Sequence, residues 1–234
     1  MTRMGANRAL IREALDAADW RVRLEALTAR TPGAFVGPLL SCLARGGTLA
    51  GRAAVALGVC VAAIAEETPE DGRVIMRRFL WHMNEESGNL GWGIPESMAE
   101  TLARSALLAK EFARVLLSYI RGTGREDNFV DHAPLRRSCY WAAGRLLQAR
   151  PEFAPSTLPL LRAGLRDEDI PCRGMAAWAV AQIAVPDDLR PELEKLAAAP
   201  ENATTPVLIF DGDTVREDTV AGLARLALEK YAIF

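Results

Sequence analysis

The sequence has 234 residues, of which 50% are hydrophobic and 25% are charged, and its formal net charge is -2. This composition excludes an intrinsically disordered chain, which contains fewer hydrophobic residues, and a strongly basic protein that coats nucleic acid. Aromatic residues make up only 6%, whereas Ala and Leu are abundant. Because Ala and Leu have high helix propensities, the composition favours an all-α fold.

A pattern that recurs six times along the sequence predicts six helices. Each copy is centred on an anchor residue, and successive anchors are 29 to 43 residues apart, at Arg23, Arg52, Pro95, Arg136, Arg173 and Arg216. The positions one before and three, six and ten after an anchor lie on one face of a helix. The sixth position is always small, which allows a close approach of the neighbouring helix; its residues are Ala29, Gly58, Thr101, Ala142, Ala179 and Gly222.

The residue four positions before each anchor is predicted to cap the N-terminus of its helix. These residues are Asp19, Thr48, Gly91, His132, Asp169 and Gly212, with Asp131 as the alternative cap in the fourth copy. Asp and Thr side chains accept hydrogen bonds from the first N–H groups of a helix, and Gly is also favoured there. Each anchor is therefore expected in the first turn of its helix.

A second helical stretch separates each anchored helix from the next. These stretches are predicted at residues 6–17, 34–44, 70–84, 109–121, 155–166 and 187–198. Prolines, which break helices and favour turns, mark the joints at Pro32, Pro69, Pro151, Pro155, Pro186 and Pro200. The prediction is one domain over residues 1–234, an α-solenoid of about six helix pairs in which each pair is buried against its neighbours.

The anchored helices resemble a known repeat. An Asp-x-x-x-Arg pattern followed by an Ala-rich helix resembles the HEAT-like repeat in the short form found in phycobilisome lyases, and residues 19–29, 49–59 and 169–180 match it best. The resemblance implies a solenoid with a concave binding surface and a ladder of Asp and Arg side chains between adjacent repeats. It does not imply an activity, because repeat folds carry many unrelated functions.

One segment near the C-terminus has strand character. Residues 205–210 are rich in β-branched and aromatic side chains, and Asp211-Gly212 follows them directly. Asp-Gly between two extended runs is a strong hairpin signal. We predict a two-stranded hairpin at about residues 205–216, followed by a last helix over 217–231. A lone hairpin is marginally stable, so it is expected to pack on the end of the solenoid and to cap the last repeat.

The third copy of the pattern departs most from the others, because its anchor is Pro95. The stretch before this proline, residues 81–93, holds two of the five Trp residues, one of the two His residues and three of the 18 Gly residues. Departures from a local rule concentrate at functional or strained sites. The residues that could line a site on the concave face are Trp81, His82, Asn84, Glu85, Glu86, Trp92 and Glu96. The alternative is a long loop with a tryptophan filling its base.

A second cluster opens the fourth anchored helix. Its candidate binding residues are His132, Arg136, Arg137 and Tyr140, and Arg173 occupies the equivalent anchor position in the fifth copy. Because the fourth helix follows the third in the array, we expect this cluster beside the first, with Glu96 pairing with Arg136. The two interpretations are a structural network of ion pairs and a polar pocket with aromatic walls.

The sequence predicts no catalytic residue, metal ion or cofactor. His82 and His132 are 50 residues apart, and the sequence has no HExxH motif and no ExxH motif. Helical-repeat di-iron hydroxylases of the deoxyhypusine type use His-Glu dipeptides, which are absent here. Residues 88–93 lack the Lys-Ser/Thr end of a phosphate-binding loop. Cys139 with His132 is the one candidate nucleophile and base, but Cys139 lies on the predicted core face.

The cysteines and the N-terminus predict a cytoplasmic protein. Cys42, Cys60, Cys139 and Cys172 lie in apolar helical stretches without a CxxC pair, which indicates reduced core thiols. Residues 1–10 lack the apolar segment of a signal peptide, and the longest uncharged apolar run has 13 residues, against about 20 for a membrane span. We therefore expect no membrane partner.

Three functional hypotheses follow. The preferred one is a non-catalytic scaffold that holds a protein or peptide partner on its concave face. The first alternative is a small-molecule site or an enzyme at the third repeat, including a chromophore lyase. The second is a DNA-binding protein that loosely resembles alkylpurine DNA glycosylases, with an arginine stripe of Arg52, Arg136, Arg137 and Arg173. The net charge of -2 argues against this last reading.

Overall fold

The computed structural model describes residues 3–84, 91–122 and 128–231. Within these residues the chain forms thirteen α-helices and one two-stranded sheet. The helices are α1 (Arg3–Asp16), α2 (Trp20–Thr28), α3 (Gly33–Leu43), α4 (Gly47–Glu67), α5 (Pro69–Met83), α6 (Ile94–Arg104), α7 (Ala106–Ser118), α8 (Ala133–Ala149), α9 (Ala154–Gly164), α10 (Ile170–Val180), α11 (Arg190–Ala198), α12 (Pro200–Thr204) and α13 (Val220–Tyr231). The strands are β1 (Pro206–Phe210) and β2 (Val215–Thr219).

The predicted helix pairs are confirmed. The six anchored helices are α2, α4, α6, α8, α10 and α13, and the six second helices are α1, α3, α5, α7, α9 and α11. Two single turns of 3-10 helix, Pro151–Phe153 and Asp187–Leu189, lead into α9 and α11. The short helix α12 was not predicted; it begins at Pro200, where the sequence predicted only a joint.

Contacts divide the described residues into two compact units. The first consists of the residues up to Phe112 together with Phe210–Val215. The second consists of Ala113–Ile209 together with the residues from Arg216 onward. Each unit has its own buried core.

The core of the first unit is built around α4. Ala53, Leu57 and Cys60 are fully buried, and α3 and α6 pack against this helix. Among the described residues α4 is the one helix that is long and apolar enough to cross a membrane. Its burial inside the unit accounts for its apolar composition, because a core helix meets the same criteria.

The rule of a small residue at the sixth position is confirmed where anchored helices meet. A Cβ atom on Gly58 of α4 would lie 2.6 Å from the carbonyl carbon of Glu100 in α6. In the second unit, Ala142 of α8 and Ala179 of α10, both at the sixth position, are fully buried. A Cβ atom on Gly144, two positions after Ala142, would lie 2.9 Å from Cα of Ala179. These backbones therefore approach too closely for larger side chains.

The register was wrong in the first and last copies. In α2 the buried residues are Trp20, Leu24 and Thr28, whereas Val22 is 67% exposed. In the last copy Arg216 lies in strand β2 rather than in a helix, and α13 begins at Val220 instead of residue 217. The reason is the hairpin, because pairing with β1 keeps Val215–Thr219 extended.

The predicted helix caps are confirmed in part. The Asp169 carboxylate accepts the Cys172 N–H at 2.9 Å, and a His132 ring nitrogen, rather than Asp131, accepts the Leu135 N–H at 3.4 Å. The other four caps differ from the prediction. Asp19 holds the cap position of α2 without a capping hydrogen bond, Gly46 and Gly93 replace Thr48 and Gly91, and Gly212 lies in the hairpin loop.

The predicted hairpin is confirmed. An Asp211 side-chain oxygen accepts the N–H groups of both Asp213 and Thr214 at 2.9 Å, which closes the loop between the strands. Gly212 has a φ of 102°, a conformation that other residues rarely adopt. The Asp-Gly pair therefore shapes this turn as its sequence indicates.

Candidate functional site

The candidate residues of the third copy lie in the first unit, at the end of α5 and the start of α6. Trp81 and His82 are in the last turn of α5, and Asn84 follows it directly. Trp92 precedes α6, and Glu96 is in its first turn. Glu85 and Glu86 lie outside the described residues. We call the described five, Trp81, His82, Asn84, Trp92 and Glu96, the tryptophan surface.

Two glycines determine where Trp92 is placed. Gly93 has a φ of 72°, and a Cβ atom there would lie 2.9 Å from a Leu43 methyl carbon. A Cβ atom on Gly91 would lie 2.9 Å from the Met83 sulfur. Gly93 therefore has a backbone conformation that favours glycine, and a Cβ atom at Gly91 would require the Met83 side chain to move. The segment with Trp92 packs directly against the last turn of α5.

Both tryptophans of this surface are accessible to solvent. The exposed fraction is 60% for Trp81 and 39% for Trp92, and Asn84 is also exposed. The ring of Trp81 meets that of His82 edge to face, with centroids 5.2 Å apart. The alternative of a tryptophan buried at the base of its loop does not describe Trp92. Exposed aromatic side chains on a packed scaffold are typical of sites that bind a partner.

Sequence reasoning missed part of the same helix. Val74 is 51% exposed and lies two turns before Trp81, and the exposed residues Arg77 and Arg78 lie between them. The buried residues of α5 are instead Gly72, Met76 and Phe79. The signal in the sequence was the spacing of seven residues between Val74 and Trp81, which places two apolar side chains on one exposed face of α5.

The candidate residues of the fourth and fifth copies lie in the second unit and form an ion-pair network. Arg136 is 5% exposed and donates two hydrogen bonds of 2.8 Å to the Asp167 carboxylate. It donates two more to the carbonyl oxygens of Val130 and Asp131. Arg136 was expected to pair with Glu96; the carboxylate described beside it is that of Asp167. Sequence reasoning missed Asp167, which lies 31 residues further along the chain.

The neighbours of Arg136 belong to the same network. Tyr140 is 2% exposed, and its hydroxyl donates to Asp167 at 3.0 Å. Arg137 makes two hydrogen bonds of 3.0 Å to Asp169, and Arg173 donates to the backbone oxygen of Asp167. Arg136 and Tyr140 therefore do not line an open surface, as the concave-face prediction required. Of the two interpretations, the structure supports the structural network.

Burial and hydrogen bonding set the acid–base properties of this network. Burial and the adjacent Asp167 raise the pKa of Tyr140, and burial raises that of the Cys172 thiol. For Asp169, burial alone would raise the pKa, but hydrogen bonds from Arg137 and Cys172 outweigh it and hold the pKa below its usual value. Asp169 is therefore ionised at neutral pH, as its pair with Arg137 requires.

The described residues do not group in the way that a metal site requires. No three His, Cys, Asp or Glu side chains among them lie close enough to hold an ion. Cys139, the candidate nucleophile, is 1% exposed, so its thiol is screened from solvent. All four cysteines are buried and none is in a disulfide, and burial raises the pKa of Cys60 to about 12.

The burial of the cysteines predicts slow thiol labelling. In the native protein, reaction with a thiol reagent at neutral pH is expected to be slow at all four positions, because the reactive thiolate is rare and screened from solvent. In denaturant all four should react at once. Mass spectrometry of the labelled peptides distinguishes the positions. Rapid labelling of Cys139 alone in the native state would contradict its burial and restore the nucleophile hypothesis.

Comparisons with known proteins support the fold. No family model matches the sequence, and no curated protein matches it. Among solved structures, the chain is similar to a computationally designed armadillo repeat protein for modular peptide recognition. The TM-score is 0.50 at 16% sequence identity, over 97% of this chain and 92% of the designed one. The fold is a helical-repeat solenoid. It is all-α apart from the hairpin, as the six-helix-pair pattern predicted.

Proposed function

We propose that this chain is a non-catalytic binding protein that holds a peptide segment of a partner on the tryptophan surface and the exposed face of α5. The observation that carries the proposal is the pair of exposed tryptophans, Trp81 and Trp92, at the joint between α5 and α6. Tryptophan is strongly enriched among the residues that dominate binding energy, because its large ring buries much apolar area on contact.

The surroundings of the tryptophans suit a peptide. Val74 extends the apolar contact along α5, and the exposed side chains of Arg77 and Arg78 provide positive charge beside it. An apolar centre with a polar and charged rim is the usual composition of a protein interface. The designed armadillo repeat protein to which the fold is similar was made for peptide recognition, which supports the same use of this helical repeat.

The arginine stripe offers little support for a nucleic-acid partner. Arg52 donates to the backbone oxygens of Leu15, Ala17 and Asp213, and Arg136 and Arg137 pair with Asp167 and Asp169. Arg173 donates to the Asp167 carbonyl oxygen. These guanidinium groups hold the fold together, so a phosphate would have to compete with existing partners.

We also propose a repeat family and a cellular compartment for this chain. The Arg137–Asp169 pair joins α8 to the cap of α10 and is consistent with the Asp and Arg ladder of HEAT-like repeats of the phycobilisome-lyase type. Four buried thiols without a disulfide suit a reducing, cytoplasmic compartment. We therefore propose a HEAT-like binding protein of the cytoplasm.

The proposal is tested by replacing the exposed tryptophan of the loop. Peptides selected from a random display library on the immobilised chain are measured by fluorescence anisotropy against the wild type and Trp92→Ala. Binding is expected to weaken about 30-fold or more, which corresponds to about 2 kcal/mol for a hot-spot aromatic residue. The melting temperature should change little, because Trp92 is partly exposed and lies outside the helices.

The control for Trp92→Ala is the loss of an exposed apolar side chain outside the tryptophan surface. Val22→Ala, which removes an exposed apolar side chain elsewhere in the first unit, should leave peptide binding unchanged. If Trp92→Ala loses stability by about 3 kcal/mol or more while the selected peptides bind as before, Trp92 is a structural residue and the proposal fails.

A further inference from the structure

The loop of the hairpin, Phe210–Val215, is embedded in the first unit, where side chains of α2 and α4 hold it. Trp20 and Arg21 come from the first turn of α2, and Thr48, Gly51 and Arg52 come from the first turns of α4. We call these five residues the loop site. It is separate from the tryptophan surface, so binding at the loop site is independent of the proposed function of that surface.

The loop site recognises the main chain of the loop at three successive places. Arg21 donates to the carbonyl oxygen of Gly212, and Arg52 donates to that of Asp213 at 2.9 Å. The Thr48 hydroxyl accepts the N–H of Val215 at 3.2 Å. Side chains that read successive backbone groups of an extended or turning segment are the means by which peptide-binding proteins hold a ligand.

Two side chains of the loop are also recognised. The Asp213 carboxylate accepts the indole N–H of Trp20 at 2.5 Å and lies 3.6 Å from the Arg52 guanidinium. The ring of Phe210 occupies the space beside Gly51, where a Cβ atom would overlap it. The loop site therefore holds an aromatic residue and an acidic residue that are three positions apart.

The loop site is held in place by residues other than the loop. Arg52 donates to the carbonyl oxygens of Leu15 and Ala17, at the end of α1, at 2.8 and 3.0 Å. Its guanidinium also lies 5.4 Å from the ring centroid of Trp20, which is 1% exposed. Because these contacts do not involve the loop, Arg52 is held beside Trp20 before any ligand arrives.

The loop itself is organised by its own sequence. The Asp211 carboxylate accepts two N–H groups within the loop, and the Asp211 N–H donates to the Thr214 carbonyl oxygen at 3.0 Å. These bonds connect residues at most three positions apart. A free peptide with this sequence can therefore form the same turn at a low cost in conformational entropy.

We infer that the loop site is a peptide-recognition site whose occupant in this structure is the loop of the same chain. Its ligand is an acidic turn with the chemistry of Phe-Asp-Gly-Asp-Thr-Val. A partner protein that carries such a turn would bind the loop site in trans in competition with Phe210–Val215. The loop would then act as an internal competitor that sets the affinity for the partner.

The test weakens the internal competitor without touching the loop site. Gly212→Ala strains the backbone of the loop, because residues other than glycine rarely adopt a φ of 102°. The atom nearest to the added Cβ would be 4.0 Å away, so the substitution causes no steric overlap. A fluorescein-labelled synthetic peptide of residues 206–219, which keeps its glycine, is titrated with the full chain. The peptide is expected to bind Gly212→Ala about tenfold more tightly than the wild type.

Control variants show whether the gain in peptide affinity comes from the loop site or from a general loss of structure in the chain. Gly33→Ala, which changes an exposed glycine of α3 with an ordinary backbone, should bind the peptide like the wild type. Adding Arg52→Gln to Gly212→Ala, or replacing the peptide residue that corresponds to Asp213 by Asn, should reverse the gain. Trp92→Ala should leave this binding unchanged, which separates the loop site from the proposed function.

A second variant tests the inference even if the Gly212→Ala chain misfolds. Asp213→Asn in the chain removes the charge that Trp20 and Arg52 hold, while leaving the hairpin backbone as it is. It should also increase the affinity for the labelled peptide. If neither variant binds the peptide more tightly than the wild type does, or if Arg52→Gln leaves binding unaffected, the loop is a permanent part of the fold and the inference is overturned.

Discussion

Replacing Arg136 by Ala is expected to lower the free energy of unfolding by about 3–5 kcal/mol, the cost of breaking a buried ion pair by removing one partner. The side chains of Arg136 and Asp167 are only 6% and 4% exposed. Without the guanidinium, Asp167 would remain buried with one fewer charge partner, and the carbonyl oxygens of Val130 and Asp131 would lose their donor. Urea unfolding followed by circular dichroism measures this loss.

A surface pair in the same unit is the matched control. Arg162 pairs with Asp188, and these side chains are 39% and 63% exposed. Arg162→Ala should change stability by no more than about 1 kcal/mol, because water and salt screen an exposed pair. The double variant Arg136→Met with Asp167→Leu should lose less than the sum of the two single losses, since no charge is then left buried. Equal losses for Arg136→Ala and Arg162→Ala would contradict the burial of the network.

Replacing Gly58 by Ala is expected to lower the free energy of unfolding by about 1–3 kcal/mol, as overpacking does in a dense core. Helix propensity alone predicts the opposite sign, a gain of about 1 kcal/mol. Steric overlap should dominate because the added Cβ would lie 2.6 Å from the Glu100 carbonyl carbon, and a backbone atom cannot move aside as a flexible side chain can. Helices α4 and α6 would have to separate.

The control for Gly58 is a glycine with free space. Gly33, in the first turn of α3, is exposed, and a Cβ atom there would lie 4.0 Å from Ile64. Gly33→Ala should therefore raise stability by about 0.5 kcal/mol, through the smaller entropy of the unfolded chain. Chemical denaturation of both variants compares the signs directly. A stabilised Gly58→Ala protein would show that α4 and α6 do not pack as closely as described.

The arginines of this protein have a structural role that determines where a binding site can be. Arg52 and Arg136 each bind backbone oxygens and one carboxylate. They therefore connect segments that are far apart in the chain. Trp81 and Trp92 of the tryptophan surface are instead exposed to solvent. The binding proposal therefore rests on the third repeat, where the anchor arginine is replaced by Pro95.

Local patterns in the sequence were sufficient to predict the six helix pairs and the hairpin, although not the short helix α12. The helical periodicity, the Asp169 cap and the Asp211-Gly212 turn depend on residues a few positions apart, so their physics can be read from the sequence alone. The small residue at Gly58 also predicted a close helix contact, because a repeat places equivalent positions against one another. The anchor pattern failed in the last copy, where strand pairing overrode it.

The tertiary structure alone decided which residues are partners and which are exposed. Arg136 meets Asp167 across 31 positions, and Arg52 meets Asp213 across 161, and no local pattern specifies a pairing at such separations. Composition showed that Trp92 was unusual, but its 39% exposure follows from the packing of Gly91 against Met83 and of Gly93 against Leu43. Burial depends on every neighbouring element at once, so only the folded chain separates the structural arginines from the exposed tryptophans.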